Sequence, residues 1–290
     1  MTPQSQSGQS QSDESQSGPS RPDEAGNGRP GAPSGQHLSF GHKLPPEEPA
    51  PSKGTIRVLQ LYPRDMNIYG DWGNALVLAQ RLRWHGYTPE LLEYNVGDDF
   101  PANVDLIVGG GGQDSGQLVI QDDLLSREST LKELAEDGTP MLLICGLYQL
   151  FGKFFKTRTG SVIPGIGILD VETHGTDERL IGNVEVSSPE FGSVLGYENH
   201  SGQTALGPGV APLGTTAKGT GNNSNDGQEG ARYRNIVASY LHGSLLPKNP
   251  KLADFLIRTA VERKYGSFSP GSPDDSYAVL AREHAVRRPR

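Results

Sequence analysis

The 290-residue chain contains one cysteine, Cys145, and that scarcity excludes two arrangements. A lone thiol forms no internal disulfide and supplies no multi-thiolate zinc site, so Cys145 is either a small buried residue or a nucleophile. Long apolar runs are also missing. No stretch approaches the roughly 20 apolar residues of a membrane span, and no basic segment leads into an apolar one at the N-terminus. The sequence therefore reads as cytoplasmic. Cations are scarce as well, with 26 Lys and Arg against 34 Asp and Glu and a formal charge of -8. That balance leaves no cation excess to neutralise phosphates, which argues against wrapping nucleic acid or binding an anionic membrane surface.

Glycine and proline, by contrast, are abundant, at 38 and 22 residues. Some of this is compositional bias. Residues 1–52 repeat Ser, Gln, Gly and Pro with only scattered apolar side chains, and they bury too little to offset about 1–2 kcal/mol of backbone entropy per ordered residue. A disordered tail is expected there. The Gly- and Asn-rich segment 208–230 is expected to form a flexible surface loop, and 267–290 a C-terminal extension with a short helix and a frayed end.

The remaining span, 53–266, has a clear period. Candidate strands are Ile56–Tyr62, the TPELLEY segment, Val104–Val108 and the MLLI run Met141–Ile144. Helical spacing appears over 71–85, where Ala75, Leu78, Ala79 and Leu82 recur ahead of Gly86, and over the mixed segment 118–136. Alternating strands and helices imply an α/β fold, a mostly parallel sheet with helices on both faces. Ligands of such folds bind beyond the carboxyl ends of the strands, where this chain places its glycines and its cysteine.

Cys145 follows the MLLI strand and precedes Gly146 and a helix opening at Leu147. A sharp strand-to-helix turn exposes the residue at its apex and aims helix N–H groups at it, which favours a thiolate and later an oxyanion. A cysteine nucleophile needs an acid–base partner, and imidazole serves both roles. His37 and His42 lie in the tail, His85 ends a helix and His284 is in the basic terminus. Two stronger candidates remain. His242 follows a strand-like NIVASYL stretch and precedes Gly243 and a helix opened by Asn249 as cap and Pro250; His200 sits in the polar, glycine-flanked GYENHSG segment. The run Gly109–Gly112 has no Gly-Lys-Ser/Thr pair and no dinucleotide spacing, so its bare N–H groups suit developing negative charge better than a nucleotide.

The ordered set of glycine loop, CGLYQ turn, GYENHSG and YLHGSLLPKNP resembles the class I glutamine amidotransferases of the cobyric acid synthase-like branch. Within it the set is most similar to the glutaminase subunits of lipid II isoglutaminyl synthases, over about 56–266. The resemblance implies that Cys145 is the nucleophile and His242 its acid and base. It further implies an oxyanion hole made by an amide of the Gly110, Gly111 and Gly112 loop with the Gly146 N–H, and Gln149 beside the substrate. Arg179 is the candidate for the glutamine carboxylate, against the alternative of a solvated surface arginine. Two departures stand out. Leu143 and Leu147 replace the glycines that many members have around the cysteine, and Ser244 stands where a carboxylate commonly follows the histidine. The chain itself would need no cofactor or metal. ATP and Mg would belong to a Mur-ligase-like partner that amidates lipid II and brings the chain to the inner face of the membrane. Alternative readings are an amidotransferase for a corrin or other small carboxylate, or a catalytically silent regulatory domain.

Overall fold

The computed structural model describes residues 51–288. The tail expectation for 1–52 and the tail histidines His37 and His42 thus lie almost entirely outside the described residues. The chain enters a central sheet through β1 (Thr55–Leu61), then α1 (Gly73–Trp84), β2 (Thr88–Tyr94) and β3 (Leu106–Gly109). Next come α2 (Asp114–Ser126), α3 (Glu128–Glu136), β4 (Met141–Ile144) and the short α4 (Gly146–Phe151). The burial patterns explain the sequence patterns. β3 and β4 are buried at every position and read as continuous apolar runs, whereas β2 lies at the sheet edge, where Pro89 and alternating exposed residues are tolerated.

The helix expected over 118–136 is two helices. It opens four residues earlier, directly after the glycine loop, and breaks at Arg127, whose Nε donates to the Tyr94 hydroxyl at 2.7 Å. α1 buries Ala75, Leu78, Ala79 and Leu82 as their spacing predicts, and also Arg81, which pairs with Asp254 at 2.7 Å.

After α4 the chain builds a second sheet that the helix–strand alternation did not announce. It comprises β5 (Phe154–Lys156), β6 (Val162–Pro164), the long hairpin of β7 (Val171–Ser188) and β8 (Gly192–Leu206), then β9 (Gly214–Lys218) and β10 (Gln228–Glu229). Segment 208–230, expected to form a surface loop, carries two short strands of this sheet. It contributes β9 and β10 and buries Asn222 and Glu229 completely, the Asn222 amide exchanging hydrogen bonds with the backbone of Gly230 and Glu229 accepting from Tyr240 N.

β11 (Ala231–Tyr233) and β12 (Ile236–Ser239) return to the first sheet, whose order is β11-β12-β4-β3-β1-β2. All pairings in it are parallel except β11 with β12, which matches the α/β expectation. α5 (Pro250–Tyr265) ends at Gly266 in the left-handed conformation, and α6 (Ser276–Arg287) forms the C-terminal extension. Asn249 precedes α5 but does not cap it with its side chain. Its amide instead bonds the backbone N–H and carbonyl of Leu195, stitching β8 to the helix entrance.

The buried carboxyl of Glu229 has a measurable consequence. It accepts from Tyr240 N at 2.7 Å and Ser239 Oγ at 3.1 Å, yet burial pushes its pKa up to about 7. The carboxyl is protonated in both folded and unfolded chains below pH about 4.5. As pH rises from there to 7 the unfolded state loses its proton first, so stability falls, by about 3 kcal/mol in all at about 1.36 kcal/mol per pKa unit. Denaturant unfolding should accordingly show Glu229→Gln gaining on the wild type between pH 4.5 and 8. A difference that stays flat across that range would sink the assignment.

Candidate functional site

β4 delivers Cys145 to the carboxyl edge of the first sheet, where it adopts φ 50° and ψ -101° before α4 begins. A non-glycine residue held in so sparsely populated a conformation costs of order 1–3 kcal/mol, which marks the turn as one the surrounding structure enforces. The neighbouring Gly146 lets the turn approach the glycine loop closely: a Cβ there would stand 3.1 Å from the Gly112 nitrogen and 2.5 Å from Met66 Cε, which would have to move aside. Leu147, bulkier than the usual residue at this place, fills space left by the missing side chain of Gly109.

β12 lies parallel to β4, so His242 reaches the same edge. Its N–H bonds the Tyr197 carbonyl at 2.8 Å, and its ring faces Cys145 across Gly111. A Cβ on Gly111 would lie 2.7 Å from His242 Cε1 and 3.5 Å from Cys145 Sγ, so nothing larger than hydrogen fits between the two. Gly111→Ala is therefore expected to lower turnover by at least about 10²-fold through misplacement of the pair. Steady-state glutaminase kinetics on a variant shown to be folded by circular dichroism check this; near-normal kcat would contradict it.

The carboxylate absent after His242 is supplied from elsewhere. Asp71, in the loop between β1 and α1, places Oδ2 3.4 Å from His242 Nδ1 and accepts the Gly111 N–H at 2.9 Å; both side chains are only 2 % exposed. Ser244, at the position where the carboxylate was missed, donates to the Gly70 carbonyl at 2.9 Å and so braces the loop that carries Asp71. Burial works against the His242 imidazolium, but the Cys145 thiolate and the Asp71 carboxylate outweigh it and raise the pKa to about 10. Nothing local in the sequence marks Asp71, which reads as the opening residue of a helix.

His200 is not on a loop. It lies in β8, 5 % exposed, with Nδ1 bonded to the Gly202 carbonyl at 2.9 Å and its ring stacked on Tyr240 at 3.7 Å. Burial drives its pKa down to about 3, so it is a neutral wall residue rather than a base poised near neutrality.

The pocket in front of Cys145 has a volume of about 320 Å3 and is lined by Gln149, Arg179 and His200, among others. Gln149 is clamped: its Nε2 donates to Tyr240 Oη at 3.0 Å and its Oε1 accepts from Gln117 Nε2 at 2.7 Å. Gln117, from α2, has no motif of its own and was missed. Arg179 sits where the β7–β8 register shifts between Gly175 and Leu180, an irregularity that re-aims side chains. Its guanidinium is held by Asn199 Oδ1 at 2.9 Å and the Tyr69 hydroxyl at 3.3 Å, so it is not a freely solvated arginine.

Not every amide of the glycine loop is free to meet an oxyanion. The Gly111 N–H is spent on Asp71, and Gly110 packs against Met66 O and Asp71 rather than the pocket. Gly112 does line the pocket, and its nitrogen stands beside the cysteine turn, 3.1 Å from where a Cβ on Gly146 would lie. No group of His, Cys, Asp or Glu among the described residues is arranged to hold a metal ion.

The parallel sheet, the strained strand–helix cysteine and the imidazole beside it define a class I glutamine amidotransferase. The chain belongs to the CobB/CobQ-like glutamine amidotransferase domain family, whose profile matches residues 57–250. It is 37 % identical over 224 residues to the Staphylococcus aureus (strain N315) lipid II isoglutaminyl synthase (glutamine-hydrolyzing) subunit GatD, covering 77 % of this chain and 91 % of that one. The Streptococcus pneumoniae protein of the same name is 36 % identical, over 73 % of this chain and 82 % of its own. A probable cobyric acid synthase of Methanothermobacter thermautotrophicus is 34 % identical, but over 48 % of this chain and 32 % of that protein. Among solved structures, PurLQS from Thermotoga maritima shares the fold, with a TM-score of 0.50 at 13 % identity over 70 % of this chain and 97 % of that one.

Proposed function

We propose that this chain is the glutaminase subunit of a lipid II isoglutaminyl synthase. Cys145 held against His242 across Gly111 carries the chemistry. Similarity over 91 % of the length of the Staphylococcus aureus subunit, against 32 % of a cobyric acid synthase, supports the cell-wall assignment over a corrin enzyme.

In this reading the Cys145 thiolate attacks the side-chain carbonyl carbon of glutamine, and the Gly112 and Gly146 amides receive the oxyanion. As the C–N bond breaks, the His242 imidazolium gives its proton to nitrogen and ammonia departs, leaving a thioester. Neutral His242 then takes a proton from water as that water attacks the thioester. The C–S bond breaks, glutamate leaves, and the thiolate–imidazolium pair is restored. Asp71 holds His242 in place and favours its charged form. Arg179 is the group for the substrate carboxylate, because a guanidinium pairs with it bidentately, while clamped Gln149 forms the pocket wall. A Mur-ligase-like synthetase, using ATP and Mg, activates the stem-peptide D-glutamate of lipid II and consumes the ammonia, and it brings this chain to the inner membrane face.

A pull-down from the native host, with the recovered complex assayed for glutamine- and ATP-dependent amidation of lipid II, tests this reading. Recovery of a Mur-ligase-like protein together with amidation is the expected result. A different synthetase, or a complex that amidates nothing in lipid II, would discard the cell-wall assignment.

A further inference from the structure

The glutamine pocket occupies only one side of His242. On the other, His242 lines a groove of about 820 Å3 that runs between the β7–β8 hairpin and α6. Tyr69 and Asn199 line both cavities. Arg179 ties them together, donating to Asn199 Oδ1 at 2.9 Å and to the Tyr69 hydroxyl at 3.3 Å, and the Tyr69 ring lies 4.3 Å from the imidazole. The side chains of Tyr69, Arg179 and Asn199 therefore lie between the pocket in front of Cys145 and the groove.

The far wall of the groove is one face of α6. Tyr277, Leu280, Ala281, His284 and Ala285 recur there at helical spacing, and no residue of the helix is buried. Tyr277 is 80 % exposed and Leu280 50 % exposed. The helix is nonetheless anchored, because the Arg282 guanidinium donates to the Ser193 and Lys248 carbonyls. An anchored helix that keeps apolar side chains open to solvent forgoes the stabilisation that covering them would bring. Charge says what kind of surface fits. The groove is lined by Lys248 and Arg288 and by no Asp or Glu, in a chain whose formal charge is -8.

We infer that this groove is the docking surface of the ammonia-consuming synthetase, which seats an apolar segment with acidic edges between α6 and the β7–β8 hairpin. The inference rests on the glutaminase-subunit reading and adds the surface to it. A synthetase seated there meets the active site across Tyr69, Arg179 and Asn199, so ammonia passes one layer of side chains instead of entering bulk solvent.

The test uses the full-length chain and the Mur-ligase-like synthetase of the same organism. Leu280→Asp combined with Ala281→Glu puts negative charge on the α6 face without touching the glutamine pocket. The variant should hydrolyse glutamine like the wild type, bind the synthetase at least about tenfold more weakly, and lose glutamine-dependent amidation while ammonia-dependent amidation survives. A photo-crosslinking benzophenone residue in place of Tyr277 should capture the synthetase. Undiminished binding by the double variant would overturn the assignment, as would a crosslink to a second copy of this chain or to its own residues 1–50. If the wild-type chain binds no such synthetase at all, the glutaminase-subunit reading fails first and the docking surface falls with it.

Discussion

Cys145→Ala and His242→Ala should each reduce glutamine hydrolysis by at least about 10³-fold, because in the proposed mechanism nucleophile and acid–base act as one unit and neither has a substitute nearby. Structure explains why His200 is no substitute. Its ring is stacked on Tyr240 and its Nδ1 is tied to Gly202, so it can neither move toward Cys145 nor hold a proton near neutral pH. His200→Ala should retain much of the turnover and act mainly on KM, through the wall it forms with Tyr240. Reconstituted with the synthetase, the Cys145→Ala chain should also abolish amidation from glutamine while sparing amidation from added ammonium. Full loss in His200→Ala beside normal turnover in His242→Ala would reverse the assignment of the base.

Asp71→Asn should have the second-largest effect, on the order of 10²–10⁴ in kcat by analogy with other orienting carboxylates. The substitution keeps the shape beside Gly111 but removes the charge that, with the Cys145 thiolate, holds the His242 pKa up at about 10. Burial then acts with less opposition, and the imidazolium proposed to protonate departing ammonia is lost at lower pH. The wild-type His242 pair is fully formed below the ordinary value of 6.5 and disappears as pH rises through about 10, so its contribution to stability follows the same window. In the variant that window should close earlier. Proton NMR of the His242 ring across pH 6 to 10, with parallel alkylation rates of Cys145, distinguishes the two cases. An unchanged His242 titration in Asp71→Asn would show that Asp71 plays no electrostatic part.

The legible portion of the site lies where local chain geometry is decisive. An all-apolar MLLI strand followed by Cys-Gly and a helix specifies both a doubly covered strand and a sharp turn, and the structure places Cys145 there with φ 50°. The parallel sheet was legible for the same reason, since strand and helix periods alternate along the chain. The β7–β8 hairpin was not, because several of its buried positions carry polar residues, Thr173, Glu198, His200 and Thr204 among them, which only partners met in the folded chain make acceptable. Arg81 was equally hidden, a charge on a buried helix face that only Asp254 and Asp275 make acceptable.

By itself, then, the sequence determined the α/β order, the strained cysteine turn and the identity of the two histidines that compete for it, because these depend on neighbours within a few residues. Tertiary structure alone decided that His200 is walled in against Tyr240 while the already favoured His242 lies beside Cys145, that the carboxylate nearest His242 is Asp71, and that Gly112 rather than Gly110 or Gly111 lines the pocket. Each of those outcomes depends on Coulombic, hydrogen-bonding or packing contacts between chain segments far apart in sequence, and such contacts leave no periodic or local signature on the residues that make them.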